Sequence, residues 1–185
     1  LTVFDKNIIP GHGEVEVFWT DGLCTLEKNM KDKGVKKIAE CTIRWPGHIG
    51  KMKELDALGF FSTEEIDVNG VLVRPKDVSE KIFQKLWAKV PGVRDMTYMY
   101  VVGKGMLGGK FVEKSYELKT YSDEEAGITS MEIATAYPVS IAAMMVARDD
   151  SGRCGIIDPE LYFIGDKFRE LVQQLGERQI SVYEK

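Results

Sequence analysis

Glu14-Val15-Glu16-Val17-Phe18-Trp19 alternates polar and apolar residues, turns aromatic, and runs directly into Thr20-Asp21-Gly22-Leu23. A period of two is the pattern of a strand with one buried face. Thr20 or Asp21 then offers an oxygen to cap a helix carrying Leu23, Leu26, Glu27 and Met30, and Lys33-Gly34 closes it. A second handover comes soon after. Val35 to Trp45 reads as a strand with Ile38, Cys41 and Ile43 apolar, Pro46-Gly47-His48 punctuates, and Ile49, Met52, Leu55 and Leu58 recur as a helix face up to Gly59. Two strand-to-helix junctions lying this close together predict helices packed on a sheet.

The rest of the chain extends that reading. Ser62 to Asn69 is polar, and Arg74-Pro75-Lys76-Asp77 opens a helix with Val78, Ile82, Phe83 and Leu86 on its apolar side, ended by Pro91-Gly92. Asp95 to Val102 and Lys110 to Tyr121 read as strands joined by a glycine-rich loop. Ser122 to Gly127 is a turn, and Thr129 to Ala147 is helical in composition, with Pro138 predicting a kink or a boundary near Tyr137. Phe168, Leu171, Val172 and Leu175 mark a late helix, and Gln179 to Tyr183 a last strand. Without strict βαβ alternation, the expected fold is α/β or α+β: a mixed sheet with helices packed on it.

Composition bounds the function. The chain has 185 residues, 25 Lys+Arg against 29 Asp+Glu, and 44% hydrophobic residues. At roughly 100 to 200 residues per domain, residues 1–185 read as a single domain able to bury a core. The slightly acidic balance argues against a nucleic-acid partner. Cys24, Cys41 and Cys154 with two histidines give no metal-ligand spacing, so no metal is expected and the thiols read as buried or half-buried. Val139 to Ala147 is the longest apolar candidate, short of the roughly 18 residues of a membrane span. The N-terminus has no signal-peptide pattern, so no membrane and a cytoplasmic location are expected. A chain headed by Leu1 rather than Met reads either as one freed of a tag or as part of a longer protein.

Gly103-Lys104-Gly105-Met106-Leu107-Gly108 satisfies the dinucleotide pattern G-x-G-x-x-G. The chemistry behind that pattern needs a helix N-terminus after the glycines to hold the pyrophosphate. The next segment, Lys110 to Leu118, alternates like a strand instead. The glycines therefore read as a hairpin loop, and no cofactor-binding residues are expected in this chain.

The two strand-to-helix junctions are where ligands commonly sit in such sheets. Arg44 has the planar fork that matches a carboxylate, His48 can exchange a proton near neutrality, and Asp21 can hold an ammonium. Each also has a plainer reading: Asp21 as a helix cap, Arg44 as a surface ion-pair residue, His48 as packing after Pro-Gly. His12 repeats the Pro-Gly-His triplet in a segment expected to be loosely held, and Glu160 after Pro159 complements a helix dipole.

Glu16 to Leu23 resembles E-x-F-x-T-D-G-L, and Thr42-Ile43-Arg44-Trp45-Pro46-Gly47-His48 resembles T-L-R-Y-P-G-H, both of the saccharopine dehydrogenase family in its C-terminal, substrate-binding part. Leu58-Gly59-Phe60-Phe61, Thr129-Ser130-Met131 with Ala134-Thr135, and Gly155-Ile156-Ile157-Asp158-Pro159-Glu160 continue the likeness in order. The resemblance implies the second domain of a Rossmann-type dehydrogenase, contributing the substrate pocket and homodimer contact. The implied enzyme oxidises or forms a C–N bond in a lysine-related amino acid, using NAD or NADP bound by a domain absent from this chain, so the isolated chain is expected to be inactive. It also implies that Arg44 lies at the amino-acid site with Thr42 and Ile43 alongside. On this reading Thr20 belongs to the substrate site too, and His48 and Asp21, from their own chemistry, are expected to line the reacting end. Trp45 stands for the usual Tyr. Thr20 stands where fungal saccharopine-forming enzymes carry an arginine, which counts against saccharopine itself as substrate. A stand-alone binding or dimerisation module is the alternative.

Overall fold

The computed structural model describes residues 3–9, 13–86 and 93–185. Its contacts divide the chain into two compact units, residues 1–88 and 89–185.

In the first unit, β1 (Val3–Ile9), β2 (Gly13–Trp19) and β3 (Cys41–Arg44) form an antiparallel sheet in that order. β1, not foreseen from the sequence, pairs along β2, whereas His12 and the Pro91-Gly92 stop lie outside the described residues. Alternation in β2 buries Val15 and Val17 on one face, and Phe18 is buried on the other. The helix α1 (Thr25–Asp32) begins later than expected: Cys24 stands at its cap with a positive φ of 46° and no side-chain cap, so neither Thr20 nor Asp21 caps it. Its end is as expected, with Gly34 and Val35 amides closing on Lys31 and Met30 carbonyls. The predicted strand from Val35 is confined to Cys41–Arg44.

α2 (His48–Ala57) ends before Gly59, and α3 (Pro75–Leu86) begins at the expected proline. Between them the polar stretch hides a hairpin, β4 (Ile66–Val68) and β5 (Val71–Val73), turning on Asn69-Gly70. That dipeptide is a strong hairpin signal, although its surroundings read as a polar loop. α3 turns Ser79 and Phe83 inward: the Ser79 hydroxyl donates to the Phe60 carbonyl at 2.8 Å, and Phe83 meets the Phe61 ring at 6.2 Å. Val78, Ile82 and Leu86, expected on a packed face, are exposed.

In the second unit β6 (Met96–Leu107), β7 (Lys110–Tyr121) and β8 (Ser181–Glu184) form another antiparallel sheet. Only Gly108 and Gly109 make the turn, both at positive φ, 59° and 78°. The strand therefore runs through Gly103 and Gly105, well beyond the predicted Val102. α4 (Ser130–Ala147) passes through Pro138 rather than stopping at Tyr137. Its start is strongly fixed. Thr129 and Glu132 form a reciprocal capping box, and Asp95 accepts from the Ser130 amide at 3.0 Å and hydroxyl at 2.6 Å. Its 18 residues, longer than the apolar run read from sequence, have the length and apolarity of a membrane span. Here Ile133, Ile141 and Met145 are buried instead with Tyr162, Leu175 and Ile180, drawn from the short α5 (Pro159–Tyr162), α6 (Asp166–Gly176) and the entry to β8.

Helices with antiparallel sheets agree with the α+β class. The expected mixed sheet is corrected: every strand pairing among the described residues is antiparallel. The three cysteines, expected to be buried or half-buried, are exposed.

Candidate functional site

The site is built on β2 and β3. Their register pairs Glu16 with Arg44, Val17 with Ile43, Phe18 with Thr42 and Trp19 with Cys41. Residues opposite one another in an antiparallel pair share a face, and neighbours along a strand alternate. Glu16, Phe18, Thr42 and Arg44 therefore lie on one face and Ile43 on the other, packed beside Val17. One step beyond, the Thr20 amide bonds the Glu40 carbonyl at 3.4 Å, bringing Thr20 and Glu40 into the same series.

Glu16, which carries no role in the sequence motif, organises this face. Its carboxylate accepts from the Gly47 amide at 2.8 Å and the Ile49 amide at 3.0 Å, so a residue of β2 caps the N-terminus of α2. These two backbone hydrogen bonds, aided by the charge of His48, hold its carboxyl below the usual value of 4.5. His48 is the first residue of α2, half-buried and beside this carboxylate.

With Glu16 committed to α2, Arg44 has no carboxylate partner among the described residues. Its guanidinium donates to the adjacent Ile43 carbonyl at 2.8 Å and is otherwise exposed. Thr20 and Thr42 are brought together, Thr42 Oγ1 donating to Thr20 Oγ1 at 3.0 Å and Thr20 Oγ1 to Glu40 Oε1 at 3.2 Å. Glu40 Oε2 is buried without a hydrogen-bond partner. Gly22 lies so close that a Cβ there would sit 2.2 Å from that oxygen and would push the carboxylate aside. Asp21 follows Thr20 in an exposed loop, and no hydrogen bond or ion pair joins it to Arg44 or His48. Thus the fold gathers Thr20, Thr42 and Arg44 on one face, adds Glu16 and Glu40, sets His48 at its edge, and leaves Asp21 in the adjoining loop.

Two concavities lie elsewhere. A groove of about 290 Å³ in the first unit is lined by Met52, Phe61, Ser79 and Phe83, and another of about 390 Å³ in the second by Tyr137, Glu177 and Arg178. On β7, buried Glu117 is ion-paired with Lys119 at 2.8 Å and Lys185 at 2.5 Å, which brings its carboxyl down to about 2. That arrangement is an ion-paired structural cluster, with Glu117 Oε1 buried and held by charge rather than by a hydrogen bond.

The glycines at 103–108 lead through a two-residue turn into β7, not into a helix. They do not fit a dinucleotide, whose pyrophosphate needs a helix N-terminus there.

With this geometry in view, the comparison with known families is decisive: residues 10–180 match the saccharopine dehydrogenase C-terminal domain. The chain belongs to that family. It is a domain of a family of dehydrogenases, which are oxidoreductases. The match spans both units and contains every residue of the β2–β3 face.

Proposed function

We propose that this saccharopine dehydrogenase C-terminal domain supplies the amino-acid-binding surface of an NAD(P)-dependent dehydrogenase acting on a C–N bond of a lysine-related substrate. Arg44 holds the substrate carboxylate, with Thr42 and Thr20 beside it and Ile43 backing the strand. His48 and Asp21 line the reacting end. The nicotinamide cofactor is bound by residues other than those of this chain, and the enzyme works as a cytoplasmic homodimer.

The observation that carries this reading is the state of Arg44. The acid directly opposite it, Glu16, is already taken by two amides of α2. An exposed guanidinium with no carboxylate partner among the described residues, two positions from the Thr42 hydroxyl, is equipped to receive one from a ligand. His48 sits at a helix start beside the Glu16 carboxylate, at the edge of this face.

Arg44→Ala in the full-length protein provides the test. Charge-assisted hydrogen bonds contribute about 1.5–3 kcal/mol, so KM for the amino acid should rise roughly ten- to a hundredfold. An unchanged KM overturns the assignment.

A further inference from the structure

We infer that Thr42 is the amine-recognising group of this site and that Glu40 is the residue that positions its proton. The inference rests on the amino-acid reading above and specifies how the substrate head group is distinguished. A hydroxyl has one proton to donate, and a carboxylate only accepts. Glu40 Oε1 takes the Thr20 proton at 3.2 Å, so Thr20 Oγ1 can offer Thr42 only lone pairs. Thr42 must then spend its own proton on Thr20, at 3.0 Å. The chain runs in one direction, and Thr42 Oγ1 is left presenting lone pairs alone.

Arg44 lies two residues further along the same face, about 7 Å away by strand rise, and presents donors alone. Its guanidinium is held at the strand by a hydrogen bond to the Ile43 carbonyl. An acceptor-only group beside a donor-only group complements an α-amino acid, whose ammonium only donates and whose carboxylate only accepts. A ligand with the carboxylate but no α-amine leaves Thr42 unpaired, and sites built to hydrogen-bond a group discriminate strongly against analogues lacking it. Glu40 Oε2, buried and without a hydrogen-bond partner against Gly22, leaves the carboxylate charge uncompensated on that side. That charge draws protons along the chain away from Thr42 and favours a cation at its far end.

The test compares two ligands that differ only in the α-ammonium, L-norleucine and hexanoate, by titration calorimetry on the full-length protein. Wild type should prefer L-norleucine. Glu40→Gln keeps the size but can donate to Thr20, which allows the chain to reverse. Affinity for L-norleucine should fall tenfold or more, with less than a twofold change for hexanoate. Gly22→Ala, which pushes the Glu40 carboxylate aside, should reproduce this selective loss, and it carries the test if Glu40→Gln does not fold. Equal loss for both ligands means that Glu40 is merely structural, and an unchanged preference means that Thr42 is not directed by it. Either result overturns the inference. Arg44→Ala separates the two levels: it should weaken both ligands, and if it weakens neither, or wild type binds neither, the amino-acid reading itself falls.

Discussion

The two units of this chain use the same capping device on different foundations. In the first, Glu16 of β2 reaches across to the N-terminus of α2. In the second, Asp95, just before β6, does the same for α4. At α4 the carboxylate is one of several supports, alongside the Thr129–Glu132 box and a helix whose Ile133, Ile141 and Met145 lie in a shared core. At α2 the cap residue Gly47 offers no side chain, and Ile49 is the buried residue of the helix. The second unit is therefore held by packing, and the candidate site of the first by polar contacts between neighbouring strands and a helix start. A binding face assembled from such contacts can be retuned by single side chains without disturbing a core.

Substitutions can break or sharpen that contrast. The largest expected effect is Ile141→Ala. Ile141 is fully buried, so removing it should destabilise the second unit by about 2–5 kcal/mol, read as a fall in denaturant midpoint. Its KM for substrate should stay near the wild-type value in buffer where the protein is folded, and a KM shift as large as that of Arg44→Ala would break the division of labour. Next is Thr129→Ala, which removes half of a capping box and should lower stability by about 1 kcal/mol, checked by urea unfolding. Asp95 remains to support the helix, so a loss far beyond a cap's usual worth would mean that the supports are not independent.

Glu16→Gln sharpens the contrast from the other side. It should loosen the turn from Trp45 to His48, visible as faster amide exchange at Gly47 and Ile49, with the second unit unaffected. Unchanged exchange at those amides would remove Glu16 from the account.

The smallest effect is the pH dependence. Both capping carboxylates titrate below their ordinary values, 4.5 for Glu16 and 3.8 for Asp95. For Asp95, burial pushes the other way and is outweighed by the hydrogen bonds of Ser130 and Ser122. A lowered folded pKa means that the unfolded chain takes up protons first. The stabilisation is therefore complete above the ordinary values and is lost as pH falls through the lowered ones. Thermal unfolding measured from pH 6 downward should show stability declining below about pH 4.5, with a shallower decline in Glu16→Gln.

How much of the molecule is legible in its sequence depends on how local each signal is. The β2 alternation, the Gly34 and Gly59 stops and the proline opening α3 are written within a few residues, and all reappear in the structure. The glycine-rich hairpin is legible because strand periodicity continues after it, although its turn lies at Gly108-Gly109 and Gly103 and Gly105 belong to the strand. Asn69-Gly70 is equally local, but its flanking strands are only three residues each, too short to show a period. Glu16 could not be assigned a role in advance: its partner Gly47 is 31 positions away, and only the β2–β3 register brings them together. Glu40 and Thr20, 20 positions apart, are joined by the same pairing. The Thr20 and Asp21 cap fails for the converse reason. Residues with ideal cap chemistry are claimed by tertiary partners or left in the loop, and the helix begins without a side-chain cap. Arg44, Thr42 and His48 are legible as a motif, but their division between a shared face and a helix start is not.

Hydrogen exchange on the full-length protein, titrated with a lysine-related amino acid, tests the central claim most directly. Slower exchange confined to Thr20–Leu23 and Cys41–Ile49, with the α2–α3 groove and the second unit unchanged, is the predicted result. Protection centred on the groove lined by Met52 and Phe83, with the β2–β3 face unaffected, would contradict it.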